Sequence, residues 1–221
     1  TLSVETTPRT VSAKSRGSTT PNSSQAERAR LVAFWSAPGS VGRTSTALNL
    51  AACAAVKMRV LVIDLDFVAP SVALLAAGQE LPSLSTVLHH HQMAPTVDEA
   101  FLREFAPHFS GLPNGFRVIA GLSTPERWPE IEPRLLGGLL KDLAAFVDLI
   151  VCDLHASAHR LLAVNSVARS ILAEADSVVA LANANPLSLS RLLREIHELQ
   201  TLRPDSESIH VVFNRVDGNK P

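Results

Sequence analysis

The residues with the clearest chemical potential lie in a short segment from Pro38 to Ser45, between an apolar run and a helical pattern. The apolar run, residues 31–35, ends abruptly at small residues, and the helical pattern begins at Thr44. A strand, a tight turn and a helix N-terminus in this order direct backbone N–H groups and a positive helix end at one anion. The segment therefore predicts a phosphate-binding loop. Its expected contact residues are Gly39, Ser40, Val41, Gly42, Arg43, Thr44 and Ser45.

The loop departs from the consensus G-x-x-x-x-G-K-[ST] at two positions. Ala37 stands in place of the first glycine, and Arg43 stands in place of the lysine. Arginine keeps the positive charge, but its planar fork reaches a phosphate group differently. The hydroxyl of Thr44 stands where it would bind Mg²⁺. Because the motif alone is weak evidence, its interpretation depends on the residues further along the chain.

Polar residues follow three further apolar runs at the points where those runs end. These residues are Asp64 and Asp66, then Asp153, and finally Asn214. In doubly wound sheets ligands bind at the carboxyl ends of the strands. Carboxylates beside a phosphate loop are suited to holding Mg²⁺ and positioning water. The pattern predicts that these side chains meet the loop at one edge of a sheet.

Apolar runs alternate with helical patterns through most of the chain, which predicts a doubly wound α/β fold with a mainly parallel sheet. The predicted strands are 31–35, 60–63, 116–119, 149–152, 177–181 and 210–213, and the predicted helices are 44–57, 134–146, 160–173 and 187–201. Short helices are expected near 84–90 and 97–105. Residues 1–27, rich in Thr, Ser, Pro and Arg, predict a disordered tail or linker before a domain at 28–221. We expect a further domain upstream, and a C-terminal truncation stays open.

The composition sets the broad class of the protein. The chain has 221 residues, is 46% hydrophobic and carries a formal net charge of −1. This predicts a cytoplasmic globular domain with no global attraction to nucleic acid. The two cysteines, Cys53 and Cys152, lie in apolar segments and are expected to be buried free thiols.

The remaining polar clusters give weaker signals. His89, His90 and His91 cannot share one helix face, so a solvated helix end is preferred to a metal site. His155 and His159 follow Asp153 and are expected to pack rather than to act as bases. The arginines at 191, 194 and 203 predict a solvated basic helix face, and the glutamates near them argue against DNA binding.

Taken together, these segments resemble the ParA/MinD group of deviant-Walker ATPases over residues 28–217. The matching segments are 38–45 for the loop, 60–66 for the second strand, 148–153 for the Walker B strand, and 115–122, 175–186 and 213–215. Within the group, the upstream linker and the eroded loop are most similar to the CpaE/TadZ branch. Those are MinD-like proteins that localise pilus assembly, and some septum-site proteins are similar in the same way.

The resemblance implies a P-loop NTPase fold of the SIMIBI/MinD type that binds ATP or ADP with Mg²⁺. It makes Thr44 and Asp153 the metal-binding residues. Asp66 becomes the acid near the attacking water, with Asp64 supporting it, and Asn214 becomes a contact to adenine. It further implies a homodimer with a protein partner in a localisation, secretion, pilus or division machinery. Recruitment to the inner face of the membrane, through a partner or a further segment, or to a cell pole, is left open.

The sequence also departs from the family pattern. Pro38 replaces the signature lysine that reaches the partner's nucleotide, and proline carries neither charge nor N–H. Arg43 replaces the second lysine and Ser40 a glycine, and a leucine follows Asp153 in place of the usual proline. We therefore expect retained or weakened nucleotide binding with slow or absent hydrolysis. Two alternatives stay open: an active ATPase that uses Arg43, and a scaffold of the same fold that binds no nucleotide.

Overall fold

The computed structural model describes residues 28–39, 41–75, 81–109, 115–204 and 207–216. The predicted tail at 1–27 and the loop residue Ser40 lie outside these residues. The described strands form one six-stranded sheet in the order β3-β2-β4-β1-β5-β6, and each neighbouring pair is parallel. They are β1 (Arg30–Ser36), β2 (Val60–Leu65), β3 (Arg117–Ile119), β4 (Leu149–Leu154), β5 (Ser177–Asn183) and β6 (Ile209–Asn214).

Helices cover both faces of this sheet, as the alternating pattern predicts. They are α1 (Arg43–Ala55), α2 (Val72–Leu75), α3 (Leu84–Met93), α4 (Glu99–Phe105), α5 (Pro133–Leu143), α6 (Asn165–Glu174) and α7 (Pro186–Leu202), with a 3₁₀ helix at Pro125–Glu130. Phe34 and Trp35 are both fully buried, although they point to opposite faces of β1. Phe34 belongs to the core under α1, and Trp35 belongs to the core under α5 and α6. The predicted doubly wound α/β fold is confirmed.

The order of the strands explains where a site forms. Strand β1 lies between β4 and β5, and β2 lies on the far side of β4. Their register places Phe34 opposite Asp153 and Asp64 opposite Asp153. Because the strands are parallel, their carboxyl ends share one edge, where the loop after β1 lies beside both carboxylates.

Some expectations about single residues are wrong. Cys53 is exposed, because the residues of α1 that face the core are Ala47, Ala51 and Ala55, and Cys53 lies on the opposite side of the helix. Cys152 is buried as expected, and burial raises the pKa of its thiol. Helix α6 begins at Asn165 rather than at residue 160.

No helix in the described ranges is long and apolar enough to cross a bilayer.

Candidate functional site

The segment after β1 forms an open loop that leads directly into α1. Gly39 has φ 138° and Gly42 has φ 81°, values that side-chain-bearing residues rarely adopt. Gly42 immediately precedes the first residue of α1, so the free N–H groups of the helix face the concave side of the loop. A cavity of about 670 Å³ opens there. The loop residues that line it are Pro38, Gly39, Val41, Gly42, Arg43, Thr44 and Ser45.

Replacing Gly42 by alanine is expected to lower the free energy of unfolding by about 1–2 kcal/mol. The added Cβ would lie 2.6 Å from Asn214 Nδ2, and φ is 81° at this position. Gly138→Ala is the matched control, since nothing lies within 4 Å of its added Cβ in α5. Gly138→Ala should instead raise the free energy of unfolding by about 0.5–1 kcal/mol, because alanine has a higher helix propensity than glycine. Urea denaturation compares the variants, and equal effects would contradict the conformation assigned to the loop.

Asp153 ends β4 directly beneath the loop and is fully buried. Its Oδ2 accepts a hydrogen bond from Thr44 Oγ1 at 2.5 Å. Burial raises the pKa of Asp153 to about 7, the Thr44 hydroxyl opposes this rise, and the nearby Asp64 adds to it. Its Oδ1 has no hydrogen-bond partner among the described residues. A buried oxygen of this kind beside a threonine hydroxyl fits a hard cation such as Mg²⁺.

Arg43 lines the cavity, but its guanidinium is held by protein oxygens rather than left free for a phosphate. Its Nη2 donates to Asp66 Oδ2 at 2.7 Å, and its Nη1 donates to Ser36 Oγ at 2.8 Å. The Arg43 side chain is 11% exposed and that of Asp66 is 8% exposed. Its Nε lies 3.9 Å from Asp153 Oδ1, which is ion-pair distance but too long for a hydrogen bond. The cation of the loop therefore neutralises the protein's own carboxylates.

The two acids after β2 have different environments. Asp64 accepts hydrogen bonds from the backbone N–H groups of Asp66, Ser71 and Val72, at 2.9–3.0 Å. Burial raises the pKa of Asp64 to about 6, against the effect of these donors. Asp64 thus organises the segment after β2, whereas Asp66 lines the cavity. Asp66 also accepts from Val68 N and Ala69 N through its Oδ1.

Asn214 lies at the end of β6 and supports the loop from the other side. Its Nδ2 donates to the carbonyl of Val41 at 2.9 Å. Arg215 follows with φ 53° and lines the cavity. The structure thus brings the predicted residues of β1, β2, β4 and β6 to one edge, apart from Ser40, which lies outside the described residues.

Sequence reasoning missed a second set of contacts, between α7 and the two loops at this edge. Ser157, at φ 73°, donates from its Oγ to Glu195 at 3.0 Å, and Ala158 N donates to the same carboxylate at 3.2 Å. Arg191 Nη1 donates to the carbonyl of Pro38 at 3.2 Å. Only the spacing of four residues between Arg191 and Glu195, which puts both on one helix face, hinted at this arrangement.

Two of the histidines, His91 and His155, are buried, whereas His159 is exposed although it was expected to pack. His91 is buried and its Nε2 lies 2.8 Å from Asp142 Oδ2, so the whole triplet is not a solvated helix end. His155 is buried as expected, with its Nε2 2.6 Å from Asn165 Oδ1. In the part of the chain that the structure describes, no group of three or more His, Cys, Asp or Glu side chains is arranged to hold a metal ion.

One basic residue on the predicted solvated face of α7 is also structural. Arg203 follows the helix, and its Nη1 donates to the carbonyls of Leu172 and Ala175 at 2.8 and 2.6 Å. Its Nη2 donates to Ser208 Oγ at 2.6 Å. Arg203 therefore joins the end of α6 to the chain before β6, and it does not contribute to a free basic surface.

The all-parallel sheet, the glycine-containing loop at its central strand and the carboxylates beside it define a P-loop nucleotide-binding domain. The family model described as the CobQ/CobB/MinD/ParA nucleotide-binding domain matches residues 32–221, and the chain belongs to this family. A search of curated proteins finds no match.

Solved structures share this fold. A ParA family ATPase from Chlorobium tepidum TLS matches with a TM-score of 0.72 and 23% identity, over 86% of this chain and 75% of that one. The septum site-determining protein MinD from Pyrococcus horikoshii OT3, complexed with Mg-ADP, matches with a TM-score of 0.61 and 18% identity, over 83% of this chain and 68% of that one. The kinase domain of the Escherichia coli tyrosine kinase ETK matches with a TM-score of 0.64 and 20% identity, over 89% of this chain and 73% of that one. Similarity at these identities supports the fold, and the fold alone does not decide the reaction.

Proposed function

We propose that this protein is an ATP-binding positioning factor of the ParA/MinD type, in which bound nucleotide controls dimerisation and partner docking and hydrolysis is slow or absent. The observation that carries the proposal is the Arg43–Asp66 ion pair beside an otherwise suitable nucleotide site. The cavity has a volume typical of small-molecule sites, and the loop presents backbone donors to it. Thr44 and Asp153 fit the Mg²⁺ of a bound nucleotide.

Slow hydrolysis follows from the same ion pair. Bound Mg²⁺ would supply charge neutralisation for the nucleotide phosphates. Asp66 accepts from Arg43 through Oδ2 and from two backbone N–H groups through Oδ1, so only one of the about four lone-pair sites of this carboxylate is left to orient a water molecule. Two N–H groups of Arg43 are committed to Asp66 and Ser36, so a phosphate would compete with these partners for the guanidinium. Both groups on which phosphoryl transfer depends are therefore paired with each other.

The partner surface is proposed at the mouth of the cavity. Apolar side chains there are exposed and follow either Asp66 or Asp153 in the chain. Those that line the cavity are Val68, Leu74, Leu75 and Leu162, of which Leu74 is 81% exposed, and the exposed Leu161 precedes Leu162. Segments next to a nucleotide phosphate change order with its occupancy in many switch proteins. We infer that a second copy or a protein partner binds here, in a CpaE/TadZ-like or septum-site role at the cytoplasmic face of the membrane or at a cell pole.

Mg-ATP is expected to raise the thermal unfolding temperature of the protein, because a ligand that binds only the folded state stabilises it. At a hundredfold excess over Kd the gain is about 2.7 kcal/mol. Thr44→Val should reduce the shift, since it removes the hydroxyl that faces Asp153. Thr46→Val is the matched control, because the Thr46 hydroxyl bonds to the Gly42 carbonyl within the helix end.

Three outcomes separate the candidate functions. A shift that Thr44→Val weakens and Thr46→Val keeps, with negligible phosphate release, supports the proposal. The same shift with turnover like that of intact family members would instead identify an active ATPase that uses Arg43. No shift at millimolar Mg-ATP would leave a scaffold of this fold that binds no nucleotide.

A further inference from the structure

Arg191 places a guanidinium on the outer side of the phosphate loop. It lies on α7, and its Nη1 donates to the Pro38 carbonyl at 3.2 Å. A Cβ added to Gly39 would lie 3.6 Å from the same nitrogen. The guanidinium therefore rests against the two residues that open the loop, both of which line the cavity.

This cation has no acidic partner among the described residues. Its neighbours on α7 are already engaged, since Glu195 binds Ser157 and Ala158, and Glu198 binds Arg169. Arg191 uses one N–H for the Pro38 carbonyl, and a guanidinium carries five. Arg43, by contrast, is held by Asp66 and Ser36. Arg191 is thus a cation at the loop with no ion pair among the described residues.

We propose that Arg191 is a nucleotide-binding residue that contacts the phosphate chain from outside the loop. The inference rests on the proposed function, because it assigns a further contact to that same site. Arginine forms short, charge-assisted and often bidentate hydrogen bonds to phosphate. Pro38 offers no N–H where the loop begins, and Arg191 supplies donors at that point. The single hydrogen bond to a neutral carbonyl is the weaker contact, and phosphate replaces it.

The contact also joins the nucleotide to the segment after β4. Arg191 and Glu195 are one turn apart on α7, and they bind the two loops on either side of the cavity. A phosphate held by Arg191 fixes α7 relative to the loop, and Glu195 carries that constraint to Ser157 and Ala158. Nucleotide occupancy is thereby coupled to the segment that carries the exposed Leu161 and Leu162.

Calorimetric titration of the purified chain with Mg²⁺ and a non-hydrolysable ATP analogue tests the assignment. Arg191→Ala should weaken binding roughly tenfold or more, the usual effect of losing one hydrogen bond between charged groups. Arg191→Lys should recover part of the loss by restoring the charge. Arg194→Ala is the matched control, because Arg194 lies on the same exposed helix and its loss changes the net charge equally. Its affinity should stay within about twofold of the unaltered protein.

The outcomes distinguish this inference from the function on which it rests. If the unaltered chain binds the analogue and Arg191→Ala binds it equally well, the inference is overturned and the proposed function stands. If the unaltered chain binds no nucleotide, both are overturned. Unfolding midpoints without ligand verify that each variant is folded, and Arg191→Met, which keeps the aliphatic stem, replaces Arg191→Ala if that variant is not. Weaker binding in a folded Arg191 variant, with Arg194→Ala unaffected, supports the assignment.

Discussion

Replacing Arg43 by alanine is expected to lower the free energy of unfolding of the nucleotide-free protein by about 3 kcal/mol. The substitution leaves Asp66, 8% exposed, without its counter-ion, and it removes the donor to Ser36 Oγ. It also removes the cation that lies 3.9 Å from buried Asp153. Uncompensated buried charge is among the few causes of such large single-site effects.

The double variant Arg43→Ala/Asp66→Asn separates the ion pair from general packing. Asparagine keeps an oxygen for the N–H groups of Val68 and Ala69 but carries no charge. Much of the lost stability should return in urea denaturation at pH 8. The single variant Asp66→Asn completes the comparison. If the losses of stability in Arg43→Ala and Asp66→Asn simply add up in the double variant, the two residues are not coupled and the buried pair is not the source of stability.

Lowering the pH from 8 to 5 is expected to stabilise the metal-free protein, with EDTA present. Burial raises the pKa of Asp153 to about 7 and that of Asp64 to about 6. Unfolded aspartate has a pKa of about 4, so between pH 4 and pH 7 the folded chain binds more protons than the unfolded chain. The free energy of unfolding must then fall as the pH rises through this window. For Asp153 alone the fall between pH 5 and pH 8 is about 3 kcal/mol.

The Asp153→Asn variant should lose most of this pH dependence, because asparagine does not ionise and still accepts from Thr44. Asp148→Asn is the control. The exposed Arg59 beside Asp148 lowers the pKa of that carboxyl, so its contribution has the opposite sign and its removal should not flatten the profile. Denaturation curves at both pH values measure the difference. An unchanged slope in Asp153→Asn would mean that this carboxyl is already ionised at pH 5.

Local patterns were sufficient for the strands and the longer helices, but they predicted neither α2 nor the 3₁₀ helix at Pro125–Glu130. The runs at 60–63 and 149–152 are apolar at every residue, a pattern typical of strands that are buried on both faces. Strands β2 and β4 are buried in this way. The loop before α1 was predictable from the glycine spacing and the helical pattern after it. The starts of helices were less well determined, as the late start of α6 shows. Capping and turn geometry decide such boundaries, and periodicity does not record them.

The contacts that set the chemistry of the site could not be read in the same way. The sequence shows an arginine in place of a lysine, and only the fold shows that Arg43 turns towards Asp66 and Ser36. Asp66 is 23 residues away in the chain, so the contact depends on β1 and β2 flanking β4. The same holds for Glu195, which binds Ser157 across 38 residues.

The sequence by itself determined the doubly wound sheet, the phosphate loop and the strand-end acids, because periodicity and turn residues act over a few neighbouring residues. The tertiary structure alone decided which of these groups neutralise one another, that Cys53 faces outward, and that Arg191 reaches the loop. The physical reason is that charge pairing and burial depend on distances between remote segments. Those distances arise only when the strands have taken their order in the sheet.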